Sequence, residues 1–190
     1  RSTLFRSSAA SDVYKRQSMG DAYVAVANDV SSIYWNPAGL AHVTRSSALF
    51  SIQPWLVDID MMFAGGAFVV PSLGVIGLGI THLDYGEMDV TNLQYQDGTG
   101  ERFGASDVAA TFTFSRKIVS WFSFGSSMKY ISSKIWHSSA SAFAVDLGVL
   151  VNTNFFSFTG KDKDGMNIGM SISNYGTRMK YDGIDNYQPI

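Results

Sequence analysis

Long runs in which apolar residues alternate with small or polar ones are the feature that most limits the fold of this chain. From 122 to 130 the even positions carry mainly aromatic and aliphatic residues, and the odd positions carry serine, glycine and lysine. The same two-residue period recurs in 141–152 and 166–173. Because successive side chains of a β-strand point to opposite faces, each run predicts a strand with one apolar face and one small or polar face.

About seven such strands are predicted, and most are longer than the about 5–6 residues typical of soluble strands. Their lengths approach the roughly 9–11 residues with which a tilted strand crosses a bilayer. The connectors are expected to alternate, tight at Pro71-Ser72 and Ser120 but long and polar from Asp84 to Ser106. The predicted strands cover 47–55, 60–70, 76–81, 108–115, 121–136, 141–152 and 166–173.

The composition favours a membrane setting for these strands. Charged residues make up 16% of the chain, against about 25% in an ordinary soluble domain. No apolar run of about 18 residues exists, which excludes a transmembrane helix. We therefore expect an all-β fold, an antiparallel transmembrane β-barrel, with a soluble β-sandwich as the alternative because its strands also alternate. The side chains expected to face lipid are Phe122, Phe124, Met128, Phe143, Val145 and Leu147, and those expected to face the interior are Ser127, Ala144, Asp146 and Ser171.

Residues 18–44 differ from everything that follows, and we call them the N-terminal segment. They are apolar but too few to form their own core. Asp29 is expected to cap a short helix over Val30 to Trp35, and Asn36 followed by Pro37 repeats the signal of a cap with proline at the first helical position. We expect this segment to fold into the barrel as a plug, with the Asn36 amide bonded to the wall. A helix lying at the membrane interface is the alternative.

Both ends of the chain are expected to be unnatural. The run from Ser7 to Gln17 resembles the translation of an adapter used in preparing sequencing libraries, so native sequence is expected to begin near Ser18. The chain stops after a loop-like stretch with no closing strand. The predicted organisation is a non-native tail over 1–17, the N-terminal segment over 18–44, and the first half of a barrel over 45–190.

Three stretches of the sequence, in order, resemble the PorV/PorQ family within the FadL-like group of outer-membrane proteins. The first is Met19 to Ala41, and the others are Tyr85 to Thr91 and Ser173 to Gly183. The Asn-Pro-Ala-Gly element alone marks only the wider FadL-like group. Asp21 and Asn28 depart from the residues commoner in the family. The residues that carry the resemblance in the first stretch include Asn28, Asp29, Tyr34, Trp35, Asn36, Pro37, Ala38, Gly39 and Leu40.

The resemblance implies a bacterial outer-membrane barrel of about fourteen strands with a plug, in contact with outer-membrane lipid. PorV-like members act as accessory proteins in type IX secretion, so secretion proteins and secreted cargo are the implied partners. FadL-like members carry hydrophobic molecules across the membrane, which is the alternative function, with a hydrophobic solute as partner. A soluble β-sandwich that binds a ligand is the second alternative.

The sequence offers little enzyme chemistry. His42, His82 and His137 lie in separate elements, the chain has no cysteine, and no paired-carboxylate or phosphate-loop spacing is present. The net charge of −2 gives no basic field for nucleic acid. We expect no catalytic residue, cofactor or metal. Lys129 and Asp146 fall on the interior face of neighbouring strands, and we expect them to form a structural pair or a hydrogen bond to the plug, with contact to the plug or to a solute as the functional alternative.

Overall fold

The computed structural model describes residues 23–54, 59–91, 93–96, 98–153 and 165–183. The predicted non-native tail and the last residues of the chain lie outside these ranges. Within the described part, no helix has the length and apolar character needed to cross a membrane.

One antiparallel sheet makes up most of the described chain, which confirms the predicted all-β class. The strands pair in chain order from β1 to β7, and the short β8 pairs with β6 beyond β7. The sheet is not closed, because β1 and β7 have no pairing with each other. The strands are β1 (Ser47–Pro54), β2 (Asp60–Val70), β3 (Gly74–Asp89), β4 (Arg102–Val119), β5 (Phe122–Ile135), β6 (Ser138–Asn152), β7 (Asn167–Gly176) and β8 (Asp182–Gly183).

The N-terminal segment forms three short helical turns that lie on one face of this sheet. They are a 3₁₀ turn η1 (Tyr23–Ala25), an α-helix α1 (Ser32–Trp35) and a 3₁₀ helix η2 (Pro37–His42). The turn η2 contacts β3, β4, β5 and β6, and η1 contacts β7. The sheet therefore curves around the segment. We call the covered side the inner face and the opposite side the outer face.

The two-residue alternation predicts the faces of β5 and β6 correctly. On the outer side Met128, Phe143 and Leu147 are exposed, and Phe122 is half-buried. On the inner side Ser127, Ala144 and Asp146 are buried, and Ser171 is half-buried.

The core of the described chain lies between the N-terminal segment and the inner face. Its buried cluster joins Val30, Ile33 and Leu40 of the segment to Ala67 of β2 and Val75 of β3. The sheet alone could not form this cluster, because three of its five buried members belong to the segment.

Three details of the prediction are wrong. The loop expected from Asp84 to Ser106 is strand at both of its ends, since β3 continues to Asp89 and β4 begins at Arg102, and only 90–101 remains a connection. Cross-strand pairs extend beyond a β-bulge between Asp84 and Glu87, so polar residues here belong to a long ribbon and not to a loop. The helix expected over Val30 to Trp35 begins two residues late, at Ser32.

The third error concerns the alternation of short and long connectors. We call the edge with the β2–β3 and β4–β5 turns the near end, and the opposite edge the far end. The far end carries the long connection 90–101 but also the two-residue turn Trp136-His137, while the near end carries the connection 153–166. Long and short connectors thus occur at both ends.

Candidate functional site

The turn from Asn36 to Leu40 is the most deeply buried part of the N-terminal segment. Asn36, Pro37, Ala38, Gly39 and Leu40 are all buried. Asn36 has extended backbone geometry and Pro37 follows at the first helical position of η2. The predicted cap is confirmed, because the Asn36 Oδ1 accepts a hydrogen bond from the backbone N–H of Ala38 at 3.1 Å.

The amide of Asn36 also joins three separate pieces of backbone. Its Nδ2 donates to the carbonyl of Val24 at 2.8 Å and to the carbonyl of Val149 in β6 at 3.2 Å. The expected bond from Asn36 to the wall is therefore present. One side chain, fully buried, fixes η1 and η2 relative to each other and to the sheet.

Glycine residues of the inner face allow the segment to approach the strand backbone. A Cβ at Gly148 would lie 2.1 Å from Asn36 Oδ1, and a Cβ at Gly125 would lie 2.3 Å from the carbonyl carbon of Pro37. Contacts this short are incompatible with any side chain. The inner glycines that face the segment are Gly65, Gly77, Gly79, Gly125, Gly148 and Gly169.

Small hydroxyl side chains complete this covered part of the wall. Thr113 and Ser127 share a hydrogen bond of 2.8 Å between their hydroxyl oxygens. Ser115 donates to the carbonyl of Ala38 at 3.3 Å. These residues are buried beneath the segment, so Ser127 does not face an open interior.

His42 ends η2 and contacts the near end of β5. Its Nε2 lies 3.1 Å from the hydroxyl oxygen of Ser123. Burial, and secondly the positive charge of Lys117, lowers the pKa of His42 below its ordinary value of 6.5. The neutral imidazole is therefore the form that fits this contact.

The other residues of the sequence motif have less central places. Asn28 is exposed, and Asp29 accepts hydrogen bonds from the backbone N–H and the hydroxyl of Ser31 in the turn before α1. Trp35 packs edge-on against Tyr34, with ring centres 5.2 Å apart, and against Tyr23 at 6.2 Å. Tyr34 itself is half exposed. Only Asn36 to Leu40 make up the turn that is held against the wall.

Lys129 and Asp146 form an ion pair on the inner face, with 2.6 Å between Nζ and Oδ2. Asp146 is almost fully buried, and its Oδ1 accepts the backbone N–H of Asn174 at 2.7 Å. Asn174 adopts a positive φ of 59° where β7 shifts its register against β6. The ion pair therefore stabilises the β-bulge at Asn174. The described hydrogen bonds of Lys129 and Asp146 go to β7 and not to the N-terminal segment.

Beyond the segment, toward the far end, the inner face is open. A concavity of about 1570 Å³ crosses all seven main strands there, at the level of Gly79, Thr111 and Lys129. The next inward positions are mostly apolar and include Phe63, Ala109, Ile131 and Ala142. The sequence pattern predicted a polar interior, and this part of the wall is not polar.

Further toward the far end, polar side chains lie on the inner face at the level of Asp107. The Tyr85 hydroxyl donates to Asp107 Oδ2 at 2.8 Å, and the hydroxyls of Ser133 and Tyr181 are 2.8 Å apart. Asp107 and Ser133 are direct partners in the β4–β5 register. The alternation in the sequence could place Asp107 and Ser133, but Tyr85 lies in the stretch predicted to be a loop, and its contact with Asp107 depends on the register of β3 against β4.

These features define a class of protein by fold: an antiparallel all-β sheet whose inner face holds a docked N-terminal segment. Among the described residues, no group of three or more His, Asp or Glu side chains is placed to hold a metal ion. No protein-family model matches the chain, and no curated protein matches it.

Proposed function

We propose that this protein is a non-enzymatic bacterial outer-membrane β-barrel protein of the PorV/PorQ type, in which the N-terminal segment is an internal plug. The observation that carries the membrane assignment is the apolar outer face. Exposed side chains from β1 to β7 form one continuous band that includes Phe50, Leu78, Phe112, Met128, Phe143, Leu147 and Met170. Soluble monomers rarely expose apolar patches larger than a few hundred Å².

The band has the height expected of a membrane-facing surface. On β5 it runs from Phe122 to Tyr130, a distance of about 27 Å along an extended strand. A strand tilt of roughly 40° reduces this to about 20 Å, near the roughly 25 Å of outer-membrane barrels.

Polar residues border the band toward the far end. His82, Ser132 and Ser141 share one outward row with the apolar Met62 and Val108. The next outward row is polar and holds Asp60, Asp84, Ser106, Lys134 and Ser139. Arg116 is the charged side chain within the band in the described strands. This distribution fits a surface whose middle meets lipid and whose far end meets water.

A barrel needs closure, because unpaired strand edges are not stable in hydrocarbon. The described sheet leaves one edge of β1 and one edge of β7 unpaired. The proposal therefore requires further strands along these edges, supplied by more chain or by another protein.

Two arginine substitutions on β6 test the membrane assignment. Leu147 lies near the middle of the band and Ser139 lies in the polar border, and both point outward and are exposed. In phospholipid vesicles Leu147→Arg should lower the free energy of unfolding by about 2–4 kcal/mol, and Ser139→Arg by about 1 kcal/mol or less. Equal and small effects at both positions would contradict a membrane band and favour a soluble sandwich.

The role in secretion rests on the resemblance of residues 19–41, 85–91 and 173–183 to the PorV/PorQ family. A pull-down from outer membranes, with the protein as bait, tests it. Secretion-system proteins or secreted cargo should be recovered with the native protein. Recovery of neither, from membranes in which that secretion system is active, would count against this role.

Handling of hydrophobic molecules is the second candidate function, and the apolar inner wall favours it. Phe63, Ala109, Ile131 and Ala142 point inward in the row next to the concavity, on its far-end side. An open apolar wall of this kind would bind an apolar solute. An interior that binds no solute does not require an open apolar wall.

A further inference from the structure

Asp107 is an acidic residue on the open part of the inner face. It is half-buried, and its described hydrogen bond comes from Tyr85. Among the described residues, no lysine or arginine lies within ion-pair distance of it. Lys129, the cation further along the inner face, is already paired with Asp146.

The side chains around Asp107 are polar, and those toward the N-terminal segment become apolar over a short distance. Ser133, directly opposite on β5, and Tyr181 add two hydroxyl groups at the same level. Toward the N-terminal segment, Ala109 follows on the same strand and the concavity begins at Thr111. Four residues of extended strand from Asp107 to Thr111 span about 13 Å, which is the length of a medium alkyl chain.

We propose that this inner face binds a single-chain amphiphile with a cationic end group. The end group would lie at Asp107, with Tyr85 and Ser133 beside it, and the alkyl chain would lie along the apolar wall toward the N-terminal segment. Charge selects the end group, because a carboxylate would be repelled by Asp107 whereas a protonated amine would form a charge-assisted hydrogen bond with it. This inference rests on the second candidate function and names its ligand class.

Three probes of equal chain length separate the end groups: decylamine, decanol and decanoate. Their binding is measured by calorimetry to the protein in phosphatidylcholine nanodiscs, with empty nanodiscs as the partition control. Decylamine should bind tightest and decanoate weakest. Decanoate binding as tightly as decylamine would overturn the inference.

A pair of variants tests the role of Asp107. Asp107→Asn should weaken decylamine binding roughly tenfold or more, since the charge-assisted bond is lost, and should not weaken decanoate binding. The matched control is Glu87→Gln, which removes one negative charge on the outer face near the same end. Glu87→Gln should leave all three affinities unchanged. An equal loss for decylamine and decanoate in Asp107→Asn would contradict the assignment.

The outcomes also separate this inference from the function on which it rests. Equal affinities for all three probes would leave hydrophobic binding standing and refute the end-group selection. Binding of none of them above the empty nanodiscs would refute both. If Asp107→Asn fails to fold, as judged by circular dichroism, the ranking of the three probes on the native protein decides the question.

Discussion

The inner face is built from two kinds of wall on the same strands. Toward the near end it consists of glycine and small hydroxyl residues, such as Gly125 and Ser127 on β5, and the N-terminal segment covers it. Toward the far end the same strand presents Ile131 to an uncovered interior, whereas Ser133 is buried against the Tyr181 hydroxyl. β4 changes in the same way, from Ser115 at the covered level to Asp107 at the open one.

The difference shows that the inner face has small residues where the segment fills the space and larger residues where it does not. Where backbone of the segment lies against a strand, the strand has no side chain or a very short one. Where the segment ends, larger side chains return. The covered part is therefore a folded core, and the open part is the surface on which a ligand has room to bind. Function should tolerate little change in the first part and should respond selectively to changes in the second.

The largest effect is expected at the boundary of the two parts, where Lys129 pairs with Asp146. Asp146→Ala removes one partner of a largely buried ion pair and leaves the N–H of Asn174 without its acceptor. The free energy of unfolding should fall by about 3–5 kcal/mol. Denaturant unfolding in vesicles measures it.

Arg102 provides the exposed counterpart of that ion pair. It bonds Glu87 and Asp89 at the far end, where all three side chains are mostly exposed. Arg102→Ala should give no measurable loss, because solvent screens exposed pairs. A loss as large as that of Asp146→Ala would contradict the distinction between the two sites.

Adding a methyl group to the covered wall tests whether glycine is required there. Gly148→Ala places a Cβ against Asn36 Oδ1, and neither the buried amide nor Pro37 has space to retreat. We expect a loss of about 2–3 kcal/mol from overpacking and a disturbed hydrogen bond. Gly66→Ala is the matched control, since its Cβ would meet the Phe68 ring at 3.4 Å and the Ser47 carbonyl oxygen at 3.9 Å, both ordinary contacts, and it should change stability by about 0.5 kcal/mol or less.

Periodicity predicted the faces of the sheet well, and the reason is physical. Each of Phe124, Ser127, Phe143 and Asp146 obeys the two-residue rule of an extended chain, so composition along one strand fixes which side is apolar. Capping chemistry predicted the Asn36-Pro37 turn equally well, because both signals are local.

The parts that sequence reasoning missed depend on register between distant strands. Glycines at alternating inner positions, such as Gly77 and Gly79, were a visible signal of close approach, but the chain that approaches them is set by tertiary packing. The placement of Tyr85 against Asp107 depends on the register of β3 against β4, and the pairing of Asp146 with Asn174 depends on a bulge in β7. A two-residue period cannot locate a bulge, since one extra residue reverses the faces beyond it.

After Gly148→Ala, the next smaller loss of stability in the covered part is expected at Asn36. Asn36→Ala removes the donor to Val24 and Val149 and the acceptor for Ala38, all in a buried place. A loss of about 2 kcal/mol is expected, together with faster proteolysis of the N-terminal segment. Asn28→Ala, in an exposed turn of the same segment, should be neutral in both measurements. Neutral behaviour of Asn36→Ala would mean that the segment is held by apolar contact alone.

The smallest expected effect is a dependence on pH at the edge of the covered part. The pKa of His42 is lowered in the folded protein from 6.5, first by burial and then by Lys117. The unfolded chain therefore binds more protons than the folded one as the pH falls below about 6.5, and folding stability must decrease over that range until the folded-state pKa is passed. Protonation would place a charge between the Ser123 hydroxyl and Lys117, so the end of η2 is the region that should loosen. Protease protection of the N-terminal segment should fall modestly between about pH 7.5 and pH 5.5.

His42→Gln keeps a partner for Ser123 and should remove this change, while His82→Gln, on the outer face, should leave it in place. A pH response that persists in His42→Gln would assign the loosening to another group and would leave the covered wall insensitive to its histidine.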